Sequence, residues 1–95
     1  MDAETLIEKL GLEPLPWEGG YYRETWRSDD MVSAGAMPER YSGPRNFGTG
    51  IYYLLTPGTT SAMHRVASDE IFHFYLGDPV TMLQLAPDGG EQVVT

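Results

Sequence analysis

The stretch from residue 58 to residue 77, GTTSAMHRVASDEIFHFYLG, decides how this chain is expected to fold. A turn signal at Pro57 and Gly58 opens it, and a second one, Gly77-Asp78-Pro79, closes it. Between the two turns the sequence is rich in β-branched and aromatic side chains. This pattern predicts two short antiparallel strands, at 61–66 and 70–76, with a short connection between them.

More short strands are predicted on either side of this pair. They cover residues 21–27, 50–55 and 80–85, and another strand begins within 91–95. Short strands separated by regular turn signals indicate an all-β fold, an antiparallel sandwich or barrel, in a single domain over residues 1–95. The strand that begins at the end of the chain has no later strand to pair with. We therefore expect an incomplete domain, or one that another chain completes.

Two other segments complete the predicted organisation. Residues 2–10 predict one short amphipathic helix, with Asp2 as its N-cap and Gly11 at its end. Residues 28–48 have no periodicity and collect glycine, proline and polar residues, so they predict a long mobile loop.

The composition excludes several classes of function. The chain has 14 acidic and 6 basic side chains, a formal net charge of −8 and no cysteine. Such an acidic chain offers no basic patch for nucleic acid or for an anionic membrane surface. Without cysteine it has no disulfide framework and no thiol nucleophile, and no apolar run approaches the ~20 residues of a spanning helix. We expect a cytoplasmic protein without nucleic-acid or membrane partners.

His64 and Glu70 are the residues that point most directly to chemistry. Two adjacent antiparallel strands can bring them together on one face, and an imidazole beside a carboxylate is either half of a metal site or an acid/base pair. Strict alternation places His73 on the opposite face from Glu70, although a bulge at residues 67–69 would reverse that facing. His64 and Glu70 are therefore the candidate catalytic and metal-binding residues, and His73 is a candidate for ligand binding.

Polar residues on two predicted strands are candidates for binding an anionic ligand. Arg23, Glu24 and Thr25 lie in the strand at 21–27, and Arg65 follows His64 directly. Arginine suits the bidentate recognition of carboxylate or phosphate groups, but it also forms ordinary surface ion pairs. Alternation allows Arg23 and Thr25 to face either side of the sheet, so both orientations stay open.

The spacing around His64 is similar to that of a known superfamily. Gly58, His64, Val66, Glu70 and Gly77 match the first motif of the cupins, with Val66 at the position where many cupins have a second histidine. A larger set of blocks resembles the DUF985, or cupin-5, family. These blocks are Leu10-Gly11-Leu12, residues 18–25, residues 51–55, His64-Arg65-Val66, residues 68–75 and Gly77-Asp78-Pro79.

The resemblance implies a small jelly-roll β-barrel, commonly a homodimer, whose lumen faces a small-molecule ligand. Members of the family are similar in shape to sugar-nucleotide epimerases and isomerases, without a settled reaction. The chain departs from the family pattern at Leu15-Pro16-Trp17, where a His-Pro pair often precedes Glu-Gly-Gly. The second cupin motif of the family, with its own histidine, would lie beyond Thr95.

Two functions from different classes follow from these expectations. In the first, the lumen binds a small polar or sugar-like ligand and supports epimerase or isomerase chemistry. His64 or Glu70 would remove a proton beside a carbonyl, and Arg23 or Arg65 would stabilise the enolate. A divalent metal held by His64, Glu70 and further ligands is a possible cofactor of unknown identity. In the second, the chain is a non-catalytic ligand-binding or structural cupin without metal.

Overall fold

The computed structural model describes all residues from 1 to 95 and consists mainly of short strands. In chain order, the elements are α1 (Ala3–Leu10), β1 (Glu13–Pro14), β2 (Tyr21–Arg27), β3 (Met31–Val32), a 3-10 helix (Ala34–Ala36), β4 (Arg45–Asn46), β5 (Thr49–Leu54), β6 (Met82–Leu85) and β7 (Glu91–Val94). None of the helices combines the length and apolar character that crossing a bilayer requires.

The helix α1 confirms the prediction made for residues 2–10. The side chain of Asp2 accepts a 2.8 Å hydrogen bond from the backbone N–H of Thr5. Hydrogen bonding from the side chain of Thr5, and then from its backbone, lowers the pKa of the Asp2 carboxyl. Gly11 ends the helix in the left-handed conformation, with φ of 63°, which a glycine adopts without strain. Both ends of the helix are thus set by residues directly outside it.

The largest sheet has the order β1-β2-β5, and all its strands are antiparallel. Tyr21 pairs with Leu54 at one end of the β2–β5 ladder, and Arg27 pairs with Thr49 at the other. A bulge shifts the register between Glu24 and Trp26. The strands predicted at 21–27 and 50–55 are therefore confirmed.

The prediction of a long mobile loop over residues 28–48 is wrong, because the segment has regular structure. This segment contains the β3–β4 hairpin and the 3-10 helix. Backbone hydrogen bonds from Ser28 to Gly48 (2.9 Å) and from Phe47 to Asp30 (3.1 Å) continue the pairing beyond the end of the main sheet. Because β2 and β5 already hold the two ends of the segment together, even short stretches without clear periodicity pair there.

The strands predicted at 61–66 and 70–76 do not form. Residues 60–76 make a single backbone–backbone hydrogen bond, from the N–H of Ala62 to the carbonyl of Glu18. A strand needs a neighbouring strand to satisfy its N–H and C=O groups, and neither segment has one. The side chains of 71–76 are consequently exposed, although Tyr75 makes an edge-to-face contact with Tyr52 of β5, with ring centroids 6.1 Å apart.

The remaining predicted strands form a separate hairpin. β6 and β7 pair with each other from Met82↔Val94 to Leu85↔Glu91, so the last predicted strand has its predecessor as partner. In the turn between them the side chain of Asp88 accepts a 2.8 Å hydrogen bond from the N–H of Gly90. The strand predicted at 80–85 is confirmed over its last four residues.

The three sheets remain separate from one another, and little of the chain is buried. Leu12 is the one hydrophobic residue in the buried class, with 7% of its surface exposed. It lies between α1 and the β1–β2 hairpin, where the helix turns into the sheet. The strand content confirms a mainly β fold with one short helix. The sheets do not close into a barrel, and the jelly roll implied by the resemblance stays a prediction.

Candidate functional site

The candidate site is built on the tight turn between β1 and β2, at residues 15–20. The N–H of Leu15 donates to the carbonyl of Gly20 (2.9 Å), and the N–H of Gly19 donates back to the carbonyl of Leu15 (3.1 Å). The N–H of Glu18 donates to the carbonyl of Pro16 (2.7 Å). These bonds fix the backbone that carries Glu18.

Two glycines allow the chain from Thr60 to Ala62 to lie directly against this turn. Gly19 and Gly20 both have positive φ, at 97° and 77°. A Cβ added at Gly19 would overlap the carbonyl oxygen of Thr60. With no Cβ there, the N–H of Ala62 reaches the carbonyl of Glu18 at 2.6 Å. The glycine pair therefore determines where the segment that carries His64 meets the turn.

His64 contacts an acceptor with each of its ring nitrogens. Nδ1 lies 2.6 Å from the carbonyl oxygen of Ala62, and Nε2 lies 3.2 Å from Oε1 of Glu18. Because a carbonyl oxygen only accepts, Nδ1 carries a hydrogen, and Nε2 is left to exchange a proton with the carboxyl group. Exposed fractions of 40% for the His64 side chain and 29% for the Glu18 side chain leave both within reach of a ligand.

Tyr53 of β5 completes the group, which we call the Glu18 cluster: Glu18, Tyr53 and His64. The Tyr53 hydroxyl donates to the carbonyl of Gly19 at 2.5 Å. Partial burial raises the pKa of this phenol, and the charge and hydrogen bonding of Glu18 act in the same direction, against an opposing hydrogen bond from Ser61. Tyr53 is therefore a neutral hydrogen-bond donor at physiological pH, and it ties β5 to the turn.

The structure gives His64 a different carboxylate partner from the one predicted. Because 61–66 and 70–76 are not paired strands, His64 and Glu70 are not placed on a shared face, and the ion pair of His64 is with Glu18. Glu70, Arg65 and His73 are all exposed and make no hydrogen bond or ion pair within the chain. Their predicted catalytic or ligand-binding roles stay predictions.

The three candidates on β2 each have a partner within the chain. Arg23 donates from its guanidinium to the carbonyl of Leu10 at 3.1 Å, at the end of α1, where a cation is favourable to the helix dipole. Glu24 accepts a 2.5 Å hydrogen bond from Arg27, and this contact raises the pKa of the Arg27 guanidinium. Thr25 donates to the carbonyl of Gly50 at 3.2 Å, beside the bulge.

A shallow hollow of about 420 Å³ lies next to the β2 candidates. Its lining residues are Gly11, Glu13, Tyr22, Arg23 and Glu24. No member of the Glu18 cluster lines this hollow. It offers Arg23 and Glu24 to a ligand, but it contains no histidine, so an imidazole–carboxylate pair is found only in the Glu18 cluster.

The residues proposed for a metal do not form a ligand set here. Zinc in proteins takes at least three protein ligands, and no group of three or more His, Asp or Glu side chains is arranged around a common point. Both ring nitrogens of His64 are already directed at Ala62 and Glu18. A metal site at His64 and Glu70 therefore stays a prediction, and these two residues alone do not supply the ligands it needs.

Sequence reasoning missed Glu18 and Tyr53, although a signal for Glu18 was present. Glu18 directly precedes the Gly19-Gly20 pair, and adjacent glycines often mark a close approach of another backbone. Nothing in the local sequence distinguishes Tyr53 from its neighbour Tyr52, because its role depends on the pairing of β5 with β2.

Comparison with known proteins places the chain in a family. Among proteins with curated descriptions, none matches the chain. The model of the Cupin_5 family, described as Cupin superfamily (DUF985), matches residues 4–95. The matched region includes the turn with Glu18, the strand with Tyr53 and the segment with His64. Since the match covers nearly the whole chain, the protein belongs to the DUF985 family of the cupin superfamily.

Proposed function

We propose that this DUF985 cupin binds a small polar, sugar-like ligand at the Glu18 cluster and transfers a proton on it, as an epimerase or isomerase does. The observation that carries the proposal is the 3.2 Å contact between Nε2 of His64 and Oε1 of Glu18, with Nδ1 held on the Ala62 carbonyl. An imidazole fixed at one nitrogen and facing a carboxyl at the other is an arrangement suited to general acid/base catalysis.

The proposed step begins at a carbon beside a carbonyl group of the ligand. The C–H bond breaks, its proton goes to the carboxylate of Glu18, and the electron pair moves into the carbonyl to form an enolate. The proton can pass to His64 across the short contact and return to the ligand from the same side. Return to the neighbouring carbon isomerises the ligand, whereas inversion of the centre requires the enolate to turn over before the proton returns.

Arg65 is the guanidinium best suited to stabilise the enolate. It is next to His64 in the chain and makes no ion pair or hydrogen bond within the protein. Arg23 is already engaged with the carbonyl of Leu10. Glu70 keeps a possible role as a contact to the ligand, while the base role that the sequence suggested for it is better filled by Glu18.

Deuterium exchange tests this proposal directly. The protein is incubated in D₂O with D-glucose, D-galactose or D-fructose, each of which has a C–H beside a carbonyl in its open form, and incorporation is followed by NMR. Exchange should fall by about 100-fold or more in Glu18→Gln and in His64→Gln, because each removes one member of the acid/base pair.

The chain offers a matched control for the loss of a carboxylate. Glu4→Gln changes an exposed carboxylate on α1 that does not touch the Glu18 cluster, so exchange should be unchanged. Exchange that is absent in the wild type would overturn the enzymatic proposal. Sugar binding that persists without exchange would favour the non-catalytic cupin.

We also propose that the protein is a homodimer. The support is a continuous exposed apolar segment: Ile71, Phe72, Phe74, Tyr75 and Leu76 are each at least 58% exposed. Contiguous apolar surface of this kind marks an interaction site, and residues 71–76 have no paired strand within the chain. Light scattering coupled to size exclusion should give twice the chain mass of 10.6 kDa, and a monomer at all concentrations would contradict the proposal.

A further inference from the structure

Trp17 occupies an unusual backbone position directly before Glu18. Its φ is 69°, and it is the only residue other than glycine with a positive φ. The hydrogen bond from the N–H of Glu18 to the carbonyl of Pro16, at 2.7 Å, closes a three-residue turn centred on Trp17. Turns of this type with positive φ are rare and strained.

The Trp17 side chain makes no packing contribution to the folded chain. Trp17 is 99% exposed, the highest value among the large hydrophobic residues, so its indole buries no surface. A glycine would adopt the same backbone conformation without strain. A large apolar side chain held in a strained position without packing is typical of a site that contacts something outside the chain.

We infer that Trp17 is a stacking platform for the ring of a sugar bound at the Glu18 cluster. A pyranose ring has one face made of C–H groups and an edge of hydroxyls. The indole is large, flat and apolar, with a single N–H at its edge, and it suits that face. The inference rests on the proposed function and names the ligand class, a pyranose, and the residue that would select it.

The backbone that carries the indole is held in place by the turn. The backbone on both sides of Trp17 is fixed by the Leu15–Gly20, Gly19–Leu15 and Glu18–Pro16 hydrogen bonds. Glu18, whose carboxylate contacts His64, follows directly in the chain, so the platform and the acid/base pair are carried by the same turn. Little further ordering of the backbone is needed on binding, which keeps the entropic cost of association low.

Fluorescence of a single-tryptophan variant tests the inference. The chain has two tryptophans, so Trp26→Phe leaves Trp17 as the only indole reporter. This variant is titrated with D-glucose, D-galactose and D-fructose, and the ring signals of His64 are followed by NMR in parallel, assigned with His73→Gln. A saturable change in Trp17 emission should occur with the same midpoint as the shift of the His64 signals.

Substitution of Trp17 completes the test. Trp17→Ala should raise Kd for the responsive sugar about tenfold, and Trp17→Phe should fall between the two, because stacking scales with the aromatic face. At saturation the His64 shift should be the same as in wild type.

Four results would overturn the inference. If the His64 signals respond and the Trp17 emission does not, or if Trp17→Ala leaves Kd unchanged, Trp17 is not the platform and the proposed function stands. If neither reporter responds to any of the sugars, the ligand class is wrong for the whole site. If Trp17 emission changes on dilution without sugar, the indole is covered by a second copy of the chain.

Discussion

Residues 21–54 and residues 56–81 are both rich in the side chains that favour strands, yet they end in different states. In the first region β2 and β5 pair at six positions, and the β3–β4 hairpin extends from their far end. In the second region no helix or strand forms, and side chains such as Phe72 and Phe74 are exposed. The difference shows that a strand is a property of a pair, because each N–H and C=O needs a partner across the ladder.

The β1–β2 turn, directly before the first region, is where the second region docks at the candidate site. The docking contacts are the Ala62–Glu18 backbone hydrogen bond and the His64–Glu18 pair. The turn supplies the carboxylate, and the second region supplies the imidazole. The proposed chemistry thus depends on how stably residues 56–81 dock on the turn. Each substitution below changes that docking or the stability of one of the docked segments.

The largest effect is expected from a substitution that forces the segment around Thr60 away from the β1–β2 turn. Gly19→Ala places a Cβ on the carbonyl of Thr60 and adds strain at a φ of 97°. We expect a loss of about 3 kcal/mol in the free energy of unfolding, from the strain together with the lost Ala62–Glu18 hydrogen bond. Denaturant unfolding measures it.

Gly89→Ala is the matched control for this substitution. Gly89 has a similar φ of 89°, but no atom lies within 4 Å of the position of an added Cβ. It should cost only about 1 kcal/mol, from backbone strain alone. Equal losses in the two variants would show that contact with Thr60 does not matter for stability.

The features that could be predicted from the sequence are those fixed by nearby residues. Asp2 and Gly11 define the ends of α1, and the alternating residues of β2 define a strand, because caps and alternation act within a few positions. The strands at 61–66 and 70–76 were wrongly predicted because alternation says which residues can pair and not whether a partner is present. The aromatic pattern shows that these residues are able to form strands, but in the structure they have no partner strand.

The candidate site was only half predicted, for the same reason. His64 was singled out by its spacing and is in the site. Its partner Glu18 was missed, because the contact depends on two distant segments meeting at a pair of glycines. Tyr53 joins them only through the β2–β5 register, which no local pattern specifies. Long-range docking is therefore what separates the predicted site from the observed one.

A smaller effect is expected from removing the side-chain hydrogen bond that holds β5 to the β1–β2 turn. Tyr53→Phe removes the hydroxyl that donates to the carbonyl of Gly19 and should cost about 1 kcal/mol in the free energy of unfolding. Tyr52→Phe is the control, since the Tyr52 hydroxyl makes no hydrogen bond in the chain and its loss should be close to neutral. A Tyr53→Phe variant as stable as Tyr52→Phe would show that the hydroxyl does not hold β5 to the turn.

Trp17→Gly, unlike the substitutions above, should raise the free energy of unfolding. It relieves the strain of a tryptophan at a φ of 69° and gives up no buried surface, since the side chain is 99% exposed. The free energy of unfolding should rise by up to about 1 kcal/mol, part of the relief being offset by the greater freedom of glycine in the unfolded chain. A clear loss of stability, measured by thermal unfolding against wild type, would mean that the indole has a packing role in the protein.

The smallest expected effect is a change in stability at alkaline pH, and it has opposite signs for Tyr53 and Tyr41. The pKa of Tyr53 is raised above the ordinary value of 10.0, chiefly by burial, so above that pH the unfolded chain releases this proton first. The stabilising contribution is present below pH 10 and is lost as the pH rises through the folded pKa. Tyr41, which shares a 2.7 Å hydrogen bond with Ser68 in the less ordered region, has its pKa lowered by that bond, and its contribution to stability grows as the pH rises toward 10.

Urea unfolding from about pH 8 to pH 11 should therefore show a shallower alkaline loss of stability in Tyr53→Phe than in wild type, and a steeper one in Tyr41→Phe. Identical slopes in the two variants would mean that neither phenol senses the docking of one region on the other.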